Sequence, residues 1–380
     1  MKAIEKIRKI NDTFPDTEYI KEWKAQGKKI VGWLCNYVPE ELIHAAGILP
    51  VRVTGYHDSH NMRDGTVKLS TSLCSFTRSC LQIMLDKELN FMDGFICGNC
   101  CDGTRRFSEV VILEGFENLK LHMVNPPFKI TDASIELYKI ELLNTKKWLE
   151  DAFEVTITDE DISESIKVYN TTRRLVRKLN GLRKLDNPPI TGTEVMEVMN
   201  AGYCIPKEEF NKILEQLIEE LEDTNQSVKD GYRLMVIGTP MTNPGFFSML
   251  EESGSVVVSE EMCTGSRYYW ELVDDNSNPM DALAARYLSN FPCARMIPST
   301  NRMDMLLELA REWKVEGIVS ANIPFCAFYG SDVPMLRNLL KEEGIPMLEL
   351  TMEYNEGATE QSKTRIQAFF EMIESKGVVM

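Results

Sequence analysis

Short apolar runs alternate with amphipathic stretches at both ends of the chain, and each alternation predicts a parallel sheet covered by helices. In the first block, KKIVGWLCNY, PVRVTGY, FMDGFICGN and LKLHMVNPP have the length and apolar density of buried strands. Helical periodicity marks about Lys2 to Ile10, Asp16 to Ala25, VPEELIHAAGILP, RRFSEVVILEG, and a helix starting near Cys74 in LCSFTRSCLQIMLDKEL. Pro39 stands in the first turn of one of these, with Glu40 and Glu41 at its positive end, Gly47 as its left-handed cap and Pro50 beyond. From 132 to 229 the texture is helical only: ASIELYKIELLNTKKWLEDAF, ISESIKVYNTTRRLVRKLNGL, TGTEVMEVMNAG and KEEFNKILEQLIEELEDT, with their Met and Leu stripes read as core. The alternation then resumes. Strands RLMVIG, SVVVSEEMC, VEGIVSANIPFC and IPMLELTM are interleaved with helices FFSMLEESG, MDALAARYLSN, RMDMLLELAREWK and DVPMLRNLLKEEG, before a last helix ending near Lys376.

The predicted architecture is α/β: two doubly wound parallel-sheet domains joined by a helical segment, with boundaries at 1–131, 132–229 and 230–380. The 380 residues leave room for two or three domains. Apolar residues at 43% and charged residues at 26% are those of an ordinary globular chain. A formal charge of −16 argues against nucleic acid and against an anionic membrane surface as partners. No apolar run approaches the ~18–20 residues that cross a bilayer, and MKAIEKIRKINDTF lacks the apolar core of a signal peptide. A cytoplasmic location is the expectation, and there ten cysteines stay reduced. The four histidines show no His-x-x-x-His spacing, which leaves a histidine-rich zinc or di-iron centre little support.

Position separates the cysteines better than number does. In open α/β sheets, sites form beyond the carboxyl ends of strands. Cys35, Cys101, Cys263 and Cys326 fall at such ends, Cys74 adjoins a helix start that favours a thiolate, and Cys293 follows a helix in NFPCARMIP. The segment ICGNCCDGT holds Cys97, Cys100 and Cys101 within five positions, open to reading as a redox pair, half a zinc site, an iron–sulfur ligand or buried thiols. Cys97 and Cys100 overlap a strand end instead of opening a helix, unlike a thioredoxin pair. No local spacing matches a ferredoxin or a zinc motif, so any cluster has to be assembled from distant loops.

Six segments carry more specific information: GWLCNYVPEELIHAAGILPVRVTG, LCSFTRSCL, CDGTRRF, EEMCTGSRYYWELV, PCARMIP and GIPMLELTMEYNEGATEQSKTRIQAFFEMI, in that order. Together they resemble the family of 2-hydroxyacyl-CoA dehydratase and benzoyl-CoA reductase subunits, over nearly the whole chain and least in the helical middle. The resemblance implies flavodoxin- or Rossmann-like domains, pairing with a homologous subunit or with itself, and a [4Fe-4S] cluster held by Cys74, Cys101 and Cys326. Three cysteines leave one iron open to substrate oxygen, water or sulfide. It further implies an ATP-dependent iron–sulfur activator protein as partner, with ATP only on that partner, and an acyl-CoA as substrate. The reaction it implies runs through one injected electron that turns the thioester into a ketyl radical, which expels the neighbouring hydroxyl. The β proton is then acidic enough to leave, and the electron is returned once the enoyl-CoA forms.

The implied activity is that of a radical (R)-2-hydroxyacyl-CoA dehydratase, a lyase giving a 2-enoyl-CoA. Three alternatives accompany it. Cys35, Cys263 and Cys293 also match positions that are cysteine in double-cubane [8Fe-9S] proteins, homodimers that reduce small molecules. A benzoyl-CoA-reductase-type subunit and a non-catalytic electron-relay subunit of a heterodimer are the others.

Among the remaining residues, Arg78, Arg105, Arg106 and Arg267 are candidates to neutralise CoA phosphates or cluster charge, against a solvated helix face as the plain expectation. Arg267, beside a strand end, leads them. Glu40 is a candidate for proton transfer, with Glu41 and His44 nearby. The plainer expectation is that the glutamates complement the helix dipole and that His44 pairs with Glu40 on the helix surface. VIGTPMTNPG resembles a phosphate turn, but its glycines do not fit a dinucleotide fingerprint.

Overall fold

Every one of the eight predicted apolar runs holds a strand in the computed structural model, which describes residues 1–377 except 58, 59, 117, 225, 226, 229, 291, 355 and 358. The first sheet contains β1 (Ile30–Leu34), β2 (Leu49–Arg52), β3 (Gly94–Gly98) and β4 (Lys120–Val124), in the order β2-β1-β3-β4. The second contains β5 (Tyr232–Gly238), β6 (Ser255–Glu261), β7 (Gly317–Asn322) and β8 (Met347–Thr351), in the order β6-β5-β7-β8. All the pairings are parallel. Each sheet is therefore doubly wound, and its strand order reverses once, between β1 and β3 and between β5 and β7. β1, β2, β3 and β6 are buried at every position, as strands covered on both faces must be.

Local chemistry sets the helix ends. The helix Glu40–Ala45 stops before Gly47, which turns left-handed at φ 70° as predicted, but Pro39 is its extended N-cap and not a first-turn residue. In the helical stretch, Asp132–Phe153, Asp159–Gly181 and Gly192–Gly202 each start on a threonine whose hydroxyl accepts from a backbone N–H of the first turn. Thr158 with Asp161 and Thr191 with Glu194 complete reciprocal boxes. Lys207–Glu222 follows. Ile4, Ile7 and Ile10 of the leading helix Lys2–Asp12 share one apolar core with Val195, Ile213, Leu214 and Leu217, and with Leu34 and Phe95 of the first sheet.

The helix expected to begin at Asp332 instead begins at Ala327 and runs to Glu342, with Pro334 in its interior. A proline usually marks a first turn, and that bias displaced the predicted start. The extra turn closes through Gly330 N–H to Cys326 C=O at 2.8 Å. Cys326 thereby becomes a helix cap. Among the described residues no helix is long and apolar enough to cross a membrane.

Candidate metal centre

Both strand-order reversals open onto cysteines. Cys35 follows β1, Cys100 and Cys101 follow β3, Cys263 follows β6 and Cys326 follows β7. Direct bonds tie the two sheets' carboxyl ends together. Asn36 Nδ2 and Arg52 Nη1 donate to the Cys263 carbonyl at 2.8 and 3.0 Å, and Arg295 Nε donates to the Cys100 carbonyl at 3.1 Å. Tyr354 N–H, just past β8, reaches Ser75 Oγ at 2.8 Å.

Exposure divides the ten free thiols. Cys35, Cys74, Cys101, Cys263, Cys293 and Cys326 are half-buried, whereas Cys80, Cys97, Cys100 and Cys204 are buried. The half-buried six are those singled out in the sequence.

Cys74, Cys101 and Cys326 share one structural role: each is the N-cap of a helix, over Ser75–Leu85, Asp102–Glu114 and Ala327–Glu342 respectively. The Cys101 sulfur accepts from Thr104 N–H at 3.4 Å, and Thr104 Oγ1 accepts the Cys101 N–H at 3.2 Å. Each of the three cysteines thus stands at the positive end of a helix, which favours negative charge there. The sulfurs feel one another's charge, and burial pushes the free thiols of Cys101 and Cys326 up to about 11 and about 12. Metal loading of these thiols therefore releases protons. Among the described residues no three His, Cys, Asp or Glu side chains stand close enough to share one metal ion. Three thiols, one thiolate per iron, are the donor chemistry of an iron–sulfur cluster.

Cys35, Cys100, Cys263 and Cys293 form a second group made of two pairs. The Cys35 and Cys100 sulfurs share a hydrogen bond at 3.1 Å, and Cys263 and Cys293 share another. The Cys263 hydrogen bond, with the charges of Arg267 and Arg295, brings the Cys293 thiol down to about 5; Cys35 is lowered by its bond with Cys100. Arg267 is buried. It pairs through Nε with Glu261 at 2.9 Å, and Nη2 donates to the Gly238 carbonyl at 3.2 Å and to the Tyr329 hydroxyl. Its Nη1 is buried without a hydrogen-bond partner. Arg295 lies over Phe128, 4.0 Å from the ring centre, and donates to the carbonyls of Pro126 and Pro127. Two buried cations beside four sulfurs suit an anionic, sulfur-ligated group.

Cys100 is the residue that sequence reasoning set aside. Gly98 makes room for it: a β-carbon there would stand 2.7 Å from the Cys100 sulfur. Cys97 is buried within β3, and that burial pushes its thiol up.

Other expectations need correction. Glu40 and Glu41 are 1% and 0% exposed, not on the helix surface, because the helices at 159–181 and 207–222 close over them. Glu40 lies 3.3 Å from Lys207 Nζ, and Glu41 pairs with Arg173 at 2.5 Å. His44 does not meet Glu40; it bonds Ser165 at 2.9 Å and Glu208 at 3.0 Å. Arg78 is buried against Glu353 at 3.1 Å, while Arg105 and Arg106 do lie on a solvated face.

Two doubly wound parallel sheets that present cysteines at their switch points and helix caps define a class of α/β thiol-site protein. Residues 35–373 match the family model of the 2-hydroxyglutaryl-CoA dehydratase D-component, and the chain belongs to that family. It is 27% identical to the (R)-phenyllactyl-CoA dehydratase beta subunit of Clostridium sporogenes, covering 94% of this chain and 96% of that one. Identity to one of the benzoyl-CoA reductase subunits of Thauera aromatica is 26%, covering 93% of each. Identity to the (R)-2-hydroxyglutaryl-CoA dehydratase beta subunit of Acidaminococcus fermentans is also 26%, covering 97% of this chain and 98% of that one.

Proposed function

We propose that the chain is the iron–sulfur subunit of a radical (R)-2-hydroxyacyl-CoA dehydratase, with Cys74, Cys101 and Cys326 holding a [4Fe-4S] cluster. The observation that carries this reading is the shared N-cap position of those three half-buried thiols. The relatives named as dehydratase beta subunits support the reaction class. When bound, such a cluster supplies an iron with an open position and a one-electron couple of low potential. This chain's residues would bind and orient it: all three cysteines stand at helix starts, Thr104 N–H holds the Cys101 sulfur, and Arg267 places a buried positive charge nearby. Those relatives' names make them subunits, which supports a homologous partner chain. The ATP-dependent iron–sulfur activator enters the proposal from the family resemblance alone. Reconstitution with both, assayed for conversion of a 2-hydroxyacyl-CoA to its enoyl-CoA, tests it. Loss of that conversion in a Cys326→Ser chain is the expected result, and full retention overturns the reading.

The second thiol group supports a double-cubane reductase as the other reading, with Cys35, Cys263 and Cys293 added to the first three. Anaerobic iron and sulfide counting separates the two. About four irons per chain supports the dehydratase and about eight the double cubane.

A further inference from the structure

The contact between Cys35 and Cys100 is supported from three directions. Cys35 has φ 85°, a left-handed conformation that costs a side-chain-bearing residue ~1–3 kcal/mol and persists only where its surroundings over-determine it. It leaves β1 beside Gly98, because Leu34 pairs with Cys97 in the register of β1 and β3. Its carbonyl is held by Val38 N–H at 3.0 Å. Cys100 is clamped at both backbone ends: its N–H donates to the Gly98 carbonyl at 2.8 Å, and its carbonyl accepts from Arg295 Nε at 3.1 Å. Gly98 supplies the space, since a β-carbon there would lie 2.7 Å from the Cys100 sulfur and 3.1 Å from Cys35 Cβ. A cysteine that only fills a core needs none of this.

We propose that Cys100 is a positioning residue for Cys35: its thiol donates to the Cys35 sulfur and holds it beside Cys263 and Cys293 while that sulfur is bonded to iron. The proposal rests on the double-cubane reading for Cys35. The two sulfurs are 3.1 Å apart, nearer than thiolates bound to different irons of one cluster stand, so Cys100 is not a second ligand alongside Cys35. A ligand thiolate carries no proton, so the proton in this contact belongs to Cys100. A hydrogen bond to a ligand sulfur withdraws charge from the cluster and raises its reduction potential.

The test uses the full chain, reconstituted anaerobically with iron and sulfide, in wild-type, C35A, C100A, C100S and C97A forms. Iron per chain and the midpoint potentials from a spectroscopic redox titration are read for each. C100A should keep the wild-type iron content while one couple moves to lower potential. C100S, which retains a donor, should restore most of that potential, and C97A should leave it unmoved. An unchanged potential in C100A overturns the proposal, as does an iron loss in C100A equal to that in C35A, which would make Cys100 a ligand. Failure of the underlying reading looks different: C35A would then hold as much iron as wild type, in place of the expected loss of about half.

Discussion

Glu261 and Arg267 form an ion pair at 2.9 Å with side chains 0% and 3% exposed, and Cys263 lies between them in the chain. The same carboxylate holds Arg302 at 2.5 Å, and Arg302 in turn bonds Asp332 on the helix that Cys326 caps. Both guanidiniums lie over the Tyr329 ring, at 5.3 and 5.2 Å. One carboxylate therefore links the strand leading to Cys263 with the helix behind Cys326. Replacing Glu261 with Gln leaves two buried guanidiniums with one anionic partner fewer. Breaking such a pair costs about 3–5 kcal/mol. Urea unfolding of the E261Q chain should show a loss of that size; a change below about 1 kcal/mol would contradict the shared-carboxylate account.

Glu41 predicts an acid-side dependence. Burial alone would raise its carboxyl, but Arg173, Arg286 and the Tyr287 hydroxyl, 2.6 Å away, outweigh that and hold it below the ordinary 4.5. The unfolded chain therefore takes up this proton first as pH falls. The stabilisation from Glu41 is complete above 4.5 and is lost as pH drops through the lower folded value. The E41Q chain should be less stable at pH 7 and should lose less of its stability between pH 5 and 4 than wild type. Parallel stability–pH curves for the two proteins would refute this.

Glycines 98 and 330 make an opposed pair. Gly98→Ala forces a β-carbon against the Cys100 sulfur, with Cys35 Cβ behind it, and should cost ~1–3 kcal/mol as overpacking does. Gly330 lies inside the Ala327–Glu342 helix with nothing within 4 Å of a built β-carbon, so Gly330→Ala should stabilise by ~0.5–1 kcal/mol. Thermal unfolding of both variants checks the signs. A stabilised G98A chain would mean that the sulfur pair yields without cost.

What could be read in advance follows from where information is local. Buried strands of a doubly wound sheet are short apolar runs whatever they pack against, so β1 to β8 were visible as runs such as IVGWL and VVVS. Gly47 and Pro39 announced their helix for equally local reasons. Cys326 as a cap was hidden because Pro334 looks like a first-turn residue in isolation. The burial of Glu40 and Glu41 was hidden because Lys207 and Arg173, which pair with them, arrive from more than 130 residues away. The Cys35–Cys100 contact depends on a left-handed backbone at a non-glycine residue and on strand register, neither of which leaves a mark in composition or periodicity.

Cys101 allows capping and metal binding to be separated at one atom. Its sulfur caps the Asp102–Glu114 helix through Thr104 N–H, and the same sulfur is the proposed iron ligand. Serine caps a helix at least as well as cysteine, whereas alanine forfeits ~0.5–2 kcal/mol. The iron-free C101S chain should therefore unfold at the wild-type urea midpoint or above it, and the iron-free C101A chain below it. Under anaerobic reconstitution both should bind less iron than wild type, because an alkoxide oxygen is a poor substitute for a thiolate on iron. A purely structural cysteine predicts the reverse pairing: C101S would keep full iron content along with full stability. Only a sulfur used as a ligand lets stability survive the exchange to serine while the iron is lost.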